Sequence, residues 1–214
     1  VYLIEKNEKP GKKLYITGKG RCNVTNDCDV DEFLSNVVTN AKFLNGAIRR
    51  FPPEKFMEFL SGKTKLKTER GNRVFPLSDK ASDVTKCLCA YAEEAGAEIK
   101  LNEKVLSINA SDGKIVSVVT DKATYPCDNV IVCTGGLSYP STGSTGDGYA
   151  FAKSFGHTII SPVAALSGVN LKGDFYKNLQ GLSLKNVAIS VVNGKKKIYS
   201  DFGEMLFTHF GVSG

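Results

Sequence analysis

One stretch constrains the fold more than any other: Asn129 to Ala152, NVIVCTGGLSYPSTGSTGDGYAFA. Val130, Ile131, Val132 and Cys133 form an unbroken apolar run, which suits a strand buried on both faces of a parallel sheet. Thr134-Gly135-Gly136 follows at once. Two glycines at the carboxyl end of such a strand let backbone approach a ligand with no Cβ in the way, and open α/β sheets hold their ligands at that end. A second glycine-rich turn, Gly143 to Gly148, leads into Tyr149, Ala150, Phe151 and Ala152, which open a helix. Strand, glycine turn, hydroxyl-rich loop and helix start together suit a phosphate-bearing cofactor. A tight turn with Asp147 as N-cap accounts for the same residues without a ligand.

The first residues repeat the theme. Val1 to Ile4 reads as another buried strand, closed by Glu5. An acidic residue at the end of the second strand of a dinucleotide fold accepts hydrogen bonds from a ribose, and a GxGxxG fingerprint precedes it by roughly 20 residues. Here the chain opens on the strand itself, with no Met, and its last residues, Phe210 to Gly214, form no closing element. Both ends read as cuts in a longer protein. Downstream, Pro10-Gly11 turns into Lys12 and Lys13. Thr17 to Asn26 then gives a loop of glycines and polar side chains. In it Arg21 can fork onto phosphate or stack on a ring, and Asn23 can donate and accept. A surface loop that uses Asn and Gly for its turns is the plainer reading.

Helices are expected over 31–38, 41–50 and 53–60, the last with Pro at its start, followed by a hairpin over 66–75 that turns at Gly71-Asn72. Val84, Cys87, Leu88, Tyr91, Ala92 and Ala95 recur at helical spacing within 82–95, and Gly96 suits the position after the last turn. A short strand, 98–101, completes a crossover rhythm that implies a parallel sheet. Three small strands, 105–109, 115–120 and 123–126, read as a β-meander. Beyond Gly156 the texture becomes β-rich, with Val187, Ile189 and Val191 alternating and Asn193-Gly194 turning a hairpin. Lys195 to Lys197 read as its solvated edge. The expected architecture is therefore α/β: residues 1–160 form a Rossmann-like domain with parallel sheet and meander, and 161–214 start a β-rich, barrel-like domain.

Composition excludes some classes. Hydrophobic residues make up 42% and charged residues 23%, as in an ordinary globular chain. No run is long and apolar enough to span a bilayer, and no signal peptide is present. Lys and Arg exceed Asp and Glu by 28 to 22, a net +6; the lysines are spread, so the charge is weak evidence for nucleic acid and equally favours an anionic small molecule. Six cysteines without a CxxC pair and two histidines argue against a metal site. Cys87 and Cys133 read as small core residues, and a reducing, cytoplasmic setting fits.

Four segments in order, IEKNEKPGKKLYITGKGRCNVTN, RVFPLSDKASDV, VIVCTGGLSYPSTGSTGDGYAFA and GEMLFTHFGVSG, resemble successive motifs of a bacterial family of NAD(P)/FAD-dependent oxidoreductases, aminoacetone-oxidase-like or bile-acid-reductase-like. The resemblance spans the chain. It implies an FAD-binding Rossmann-like domain interrupted by a β-rich substrate domain, with FAD as cofactor, NAD(P)H as candidate reductant and a small molecule as substrate. By that resemblance Glu5 takes the adenosine ribose. Lys13 and the loop carrying Gly18, Arg21, Cys22 and Asn23 lie along the cofactor, and Val105 meets the adenine through its backbone. Thr134, Gly135 and Gly136 close over the nucleotide, with Ser138, Gly146, Asp147 and Gly148 nearby. The family's GxGxxG segment and C-terminal flavin-contacting stretch fall outside this sequence, so the piece by itself is expected to hold no flavin.

The function that follows is hydride transfer between flavin and NAD(P)H or a small organic substrate, the cofactor carrying the chemistry. His209, in Phe207-Thr208-His209-Phe210, is the candidate proton donor, with a hydrogen-bonded structural histidine as the plainer alternative. His157, at a helix end, reads as structural. The competing readings are a nucleotide- or RNA-binding protein without redox activity, and an inactive piece. Aromatic content of 9% with no aromatic–basic interleaving argues against RNA.

Overall fold

The computed structural model describes residues 1–214. In chain order its elements are β1 (Tyr2–Ile4), α1 (Lys12–Ile16), β2 (Thr25–Asn26), α2 (Val30–Ser35), α3 (Ala41–Arg50), α4 (Pro53–Ser61), β3 (Leu66–Glu69), β4 (Arg73–Pro76) and α5 (Ala81–Glu94). Then follow β5 (Glu98–Lys100), β6 (Val105–Ser111), β7 (Lys114–Thr120), β8 (Thr124–Pro126), α6 (Asp147–Ser154), β9 (Val169–Asn170), β10 (Ser183–Asn193), β11 (Lys196–Phe207) and β12 (Gly211–Ser213). Residues Val1–Ile159 and Ile160–Gly214 form two compact units.

Local chemistry sets most boundaries. Asp29 caps α2 by accepting the Glu32 N–H at 2.8 Å, and Pro53 occupies the first turn of α4, where its missing N–H does no harm. Helix α5 ends on Gly96 at φ 80°. The Gly96 N–H donates to Glu93 C=O and the Ala97 N–H to Ala92 C=O, each at 2.9 Å. This pair of bonds satisfies the last carbonyls of the helix. Helix α6 repeats the device with Gly156, at φ 81°.

The first unit holds three sheets. β1 and β5 run parallel, with Leu3 opposite Ile99. β2, β4 and β3 form an antiparallel sheet in that order, and β6, β7 and β8 form the meander. The β3–β4 loop is three residues, Arg70 to Asn72, because Glu69 pairs with Arg73; the two-residue turn read from the sequence is replaced by Gly71 and Asn72 both in left-handed backbone. The core lies between α1, α4 and α5. Cys22, Leu60, Ala81, Val84 and Cys87 are buried there, packed by Leu14, Tyr15, Val24, Phe56, Leu66, Leu88 and Tyr91. Tyr91 stacks on Phe59 at 4.3 Å and its hydroxyl donates to the Phe59 carbonyl at 2.8 Å.

The second unit is one antiparallel sheet, ordered β10, β11, β12, β9. Asn193 pairs with Lys196, so the hairpin loop is Gly194-Lys195, with Gly194 at φ 60°. Tyr176, on a turn of 3₁₀ helix, is the buried aromatic of this unit.

Three expectations are corrected here. Val130 to Cys133 is not a strand: it joins none of the sheets, with Ile131 88% and Val132 46% exposed. An extended apolar segment becomes a strand only when a neighbour completes its ladder, and no segment of residues 1–214 pairs with it. For the same reason Cys133 is exposed, not a core residue. The parallel pair is likewise open, with Tyr2 50% and Leu3 40% exposed.

Candidate functional site

The end of β1 organises the site. Past Ile4 the backbone stays tied to the neighbouring chain: Glu5 N–H donates to Lys100 C=O at 2.8 Å, Asn102 N–H to Asn7 C=O at 2.9 Å and Glu103 N–H to Glu5 C=O at 3.1 Å. Glu103 is buried. Its carboxylate accepts from Thr120 Oγ1 at 2.7 Å and Tyr125 OH at 2.8 Å. Those bonds, the Thr120 hydroxyl first, hold it below the usual carboxylate range. Glu103 thereby fixes the start of β6, where Val105 pairs with Thr120.

Onto this platform folds the glycine-rich segment. Lys6 Nζ donates to Thr145 Oγ1 at 2.7 Å and Asp147 Oδ2 at 2.8 Å. The ammonium holds the Asp147 carboxyl below its usual range, with Thr145 assisting. Asn7 Nδ2 donates to Glu5 Oε1 at 2.7 Å and to the Thr142 carbonyl at 3.1 Å. The glycines here are required by contact. A Cβ on Gly143 would lie 2.7 Å from Asn7 Nδ2, one on Gly135 2.8 Å from Ser144 Oγ, and one on Gly148 2.6 Å from Thr134 Oγ1. Gly148 N–H donates to that Thr134 hydroxyl at 3.0 Å. Helix α6 starts after Gly146, which makes no side-chain cap. Asp147 is thus the first helical residue and not the N-cap, and its carboxylate is taken up by Lys6 and Thr145.

The structure thus gathers Glu5, Thr134, Gly135, Gly146, Asp147 and Gly148 about the end of β1 and the start of α6. Lys13 Nζ donates to the backbone carbonyl and hydroxyl of Ser138, linking α1 to the same loop, and Gly136 lies against the Tyr149 hydroxyl. The Gly18 to Asn23 loop faces β4 instead. A Cβ on Gly18 would meet Asn23 N at 2.8 Å and Phe75 at 2.9 Å. Cys22 is fully buried, and burial pushes its thiol up. Arg21 lies 4.0 Å over the Phe75 ring and donates to Glu69 at 2.8 Å and Asp79 at 3.2 Å. The Asn23 amide, with its nitrogen toward Thr25 and Val74, reaches their carbonyls at 2.9 and 3.1 Å. The Arg21 and Asn23 side chains hold the loop to the hairpin. His209 belongs to the second unit, exposed and edge-on to Phe210 at 5.0 Å.

Sequence reasoning passed over Lys6, Asn7, Thr145 and Glu103. For Lys6 and Asn7 a signal existed: both follow Glu5 directly at a strand's carboxyl end, where ligands sit.

The 3-dehydro-bile acid delta(4,6)-reductase of Clostridium scindens is 30% identical, aligned over 100% of this chain and 51% of its own length. The ribosomal RNA dihydrouridine synthase of Haemophilus influenzae is 32% identical over 100% of this chain and 53% of its own. The chain spans about half the length of these curated relatives. Among solved structures, the open conformation of a flavocytochrome c3 fumarate reductase aligns with a TM-score of 0.51 at 19% identity, over 84% of this chain and 39% of that one; this likeness bears on fold alone. The model of the HI0933-like protein Rossmann domain matches residues 1–211. The chain belongs to the HI0933-like Rossmann domain family.

Proposed function

We propose that this chain is the nucleotide-holding part of an FAD-dependent oxidoreductase that passes hydride between NAD(P)H or a small organic substrate and flavin. The observation that carries the reading is the loop pair at the end of β1. Glu5 offers a carboxylate there, with Oε1 engaged by Asn7 and Oε2 free of protein partners. Beside it Gly135, Gly143 and Gly148 let backbone pack closely against the side chains of Ser144, Asn7 and Thr134, which holds the loop at the strand end. The donor and acceptor set fits part of a dinucleotide: Glu5 for a ribose diol and backbone at Thr134 to Gly136 for close approach. When bound, the flavin would supply the hydride-carrying ring; the residues here bind and orient it.

The substrate is best sought among conjugated carbonyl compounds. The relatives' names, a 3-dehydro-bile acid delta(4,6)-reductase and a ribosomal RNA dihydrouridine synthase, support a reduction of this kind. A polarised double bond accepts hydride at the carbon remote from the carbonyl. Six free thiols support a reducing, cytoplasmic setting, and no helix is long and apolar enough to cross a membrane.

The test uses the full-length protein. It should purify yellow, release FAD on denaturation, bleach anaerobically with NADH or NADPH, and regain colour on adding a conjugated enone or uridine-containing RNA. A colourless protein that binds no added FAD would overturn the reading. If that protein also bound RNA with a steep salt dependence, a non-redox RNA-binding role would replace it.

A further inference from the structure

We infer that Asn7 is a positioning residue for the candidate nucleotide site, presetting the Glu5 carboxylate so that one oxygen is kept for a hydroxyl-bearing ligand. This rests on the dinucleotide reading above. Asn7 gives Glu5 Oε1 two hydrogen bonds, from its backbone N–H at 2.8 Å and from Nδ2 at 2.7 Å. Two donors on one oxygen fix the carboxylate plane, and Oε2 is left without a protein partner. A glutamate side chain has three torsions, and ordering them at the moment of binding lowers affinity. Here they are ordered beforehand.

The same amide reaches across the site. An Asn side chain has two N–H donors: one goes to Glu5 and the other to the Thr142 carbonyl at 3.1 Å. The amide therefore ties the strand end to the glycine-rich loop, 135 residues away. Gly143 is the counterpart: at φ 97°, a Cβ there would lie 2.7 Å from Nδ2. An acidic or apolar side chain at position 7 could not make either bond. The two Asn7 bonds are the hydrogen bonds that hold the Glu5 carboxylate, and Lys6 is committed to Thr145 and Asp147.

The experiment is a double-mutant cycle on FAD affinity in the full-length protein: wild type, Asn7→Ala, Glu5→Ala and the double variant, with flavin-free unfolding temperatures in parallel. Each single variant should weaken FAD by about tenfold, the size of one hydrogen bond to a charged group. The double variant should be no weaker than Glu5→Ala, because Asn7 acts through Glu5. Where Asn7→Ala fails to fold, Asn7→Asp keeps the shape and removes the donor, and should lose FAD affinity at least as far. Additive losses, or an Asn7 variant with wild-type affinity, would overturn the positioning role and leave the FAD reading intact. A wild-type protein that binds no FAD would overturn the dinucleotide reading and this inference with it.

Discussion

At the residue scale, a single ammonium joins the two halves of the site. Lys6 bonds Thr145 and Asp147, 139 and 141 residues away. Its partner Asp147 has a carboxyl held below the usual range. A carboxyl with a lowered folded-state value contributes stability above its unfolded value and loses it as pH falls through the folded one. Lys6→Met should therefore lower the unfolding temperature at neutral pH, and the gap from wild type should close below about pH 4, the ordinary carboxylate value. A gap that stays constant down to pH 3 would mean that Lys6 acts by packing alone. Thiol chemistry separates two cysteines in the same way. Cys22 is buried, with its thiol pushed up, and Cys133 is exposed. Because the thiolate is the reactive form, iodoacetamide should label Cys133 first and reach Cys22 only on unfolding, as read by peptide mass.

At the scale of elements, two glycines with similar backbone have different duties. Gly96 closes α5 at φ 80° with open space where a Cβ would go; Gly143 sits at φ 97° against Asn7 and Lys6. Gly96→Ala should cost about 1–2 kcal/mol, the strain of left-handed backbone alone, and leave ligand affinity unchanged. Gly143→Ala carries comparable strain and also displaces the Asn7 amide, so it should weaken FAD as well. Urea unfolding read beside FAD titration distinguishes the two; equal effects on affinity would show that Gly143 serves the turn only. Helix α5 and its cap were legible in the sequence, because spacing and a terminal glycine are local signals. Val130 to Cys133 was not, because an apolar run states a preference for burial and says nothing of which strand lies beside it.

For the molecule as a whole, the break between units makes its own prediction. Residues 157–167 form no helix or strand, and all but Ile159 are exposed. Proteolysis needs a segment free to enter the protease without breaking a ladder. A non-specific protease should cut first within 157–167 and release pieces that match the two units by mass. First cuts inside α5 or the β6–β8 meander would contradict the division. The parallel pair β1–β5 has only two strands, too few for a sheet to stand by its own packing. Its order here comes instead from α5, which packs beside β5, and from the backbone ties at Glu5 and Glu103.

Helices α3, α4 and α5, the meander, the hairpin at Gly194 and the place of Glu5 at the end of β1 were legible in the sequence. Each rests on periodicity, turn chemistry or backbone freedom within a few residues. The partners came from the tertiary fold. It gave Arg21 to Glu69 and Asp79 over the Phe75 ring, Lys6 to Asp147, and Asn7 to both Glu5 and Thr142. It also left Val130 to Cys133 without a ladder. An ion pair or a strand pairing between distant residues depends on where the chain returns, and no local pattern of side chains encodes that return.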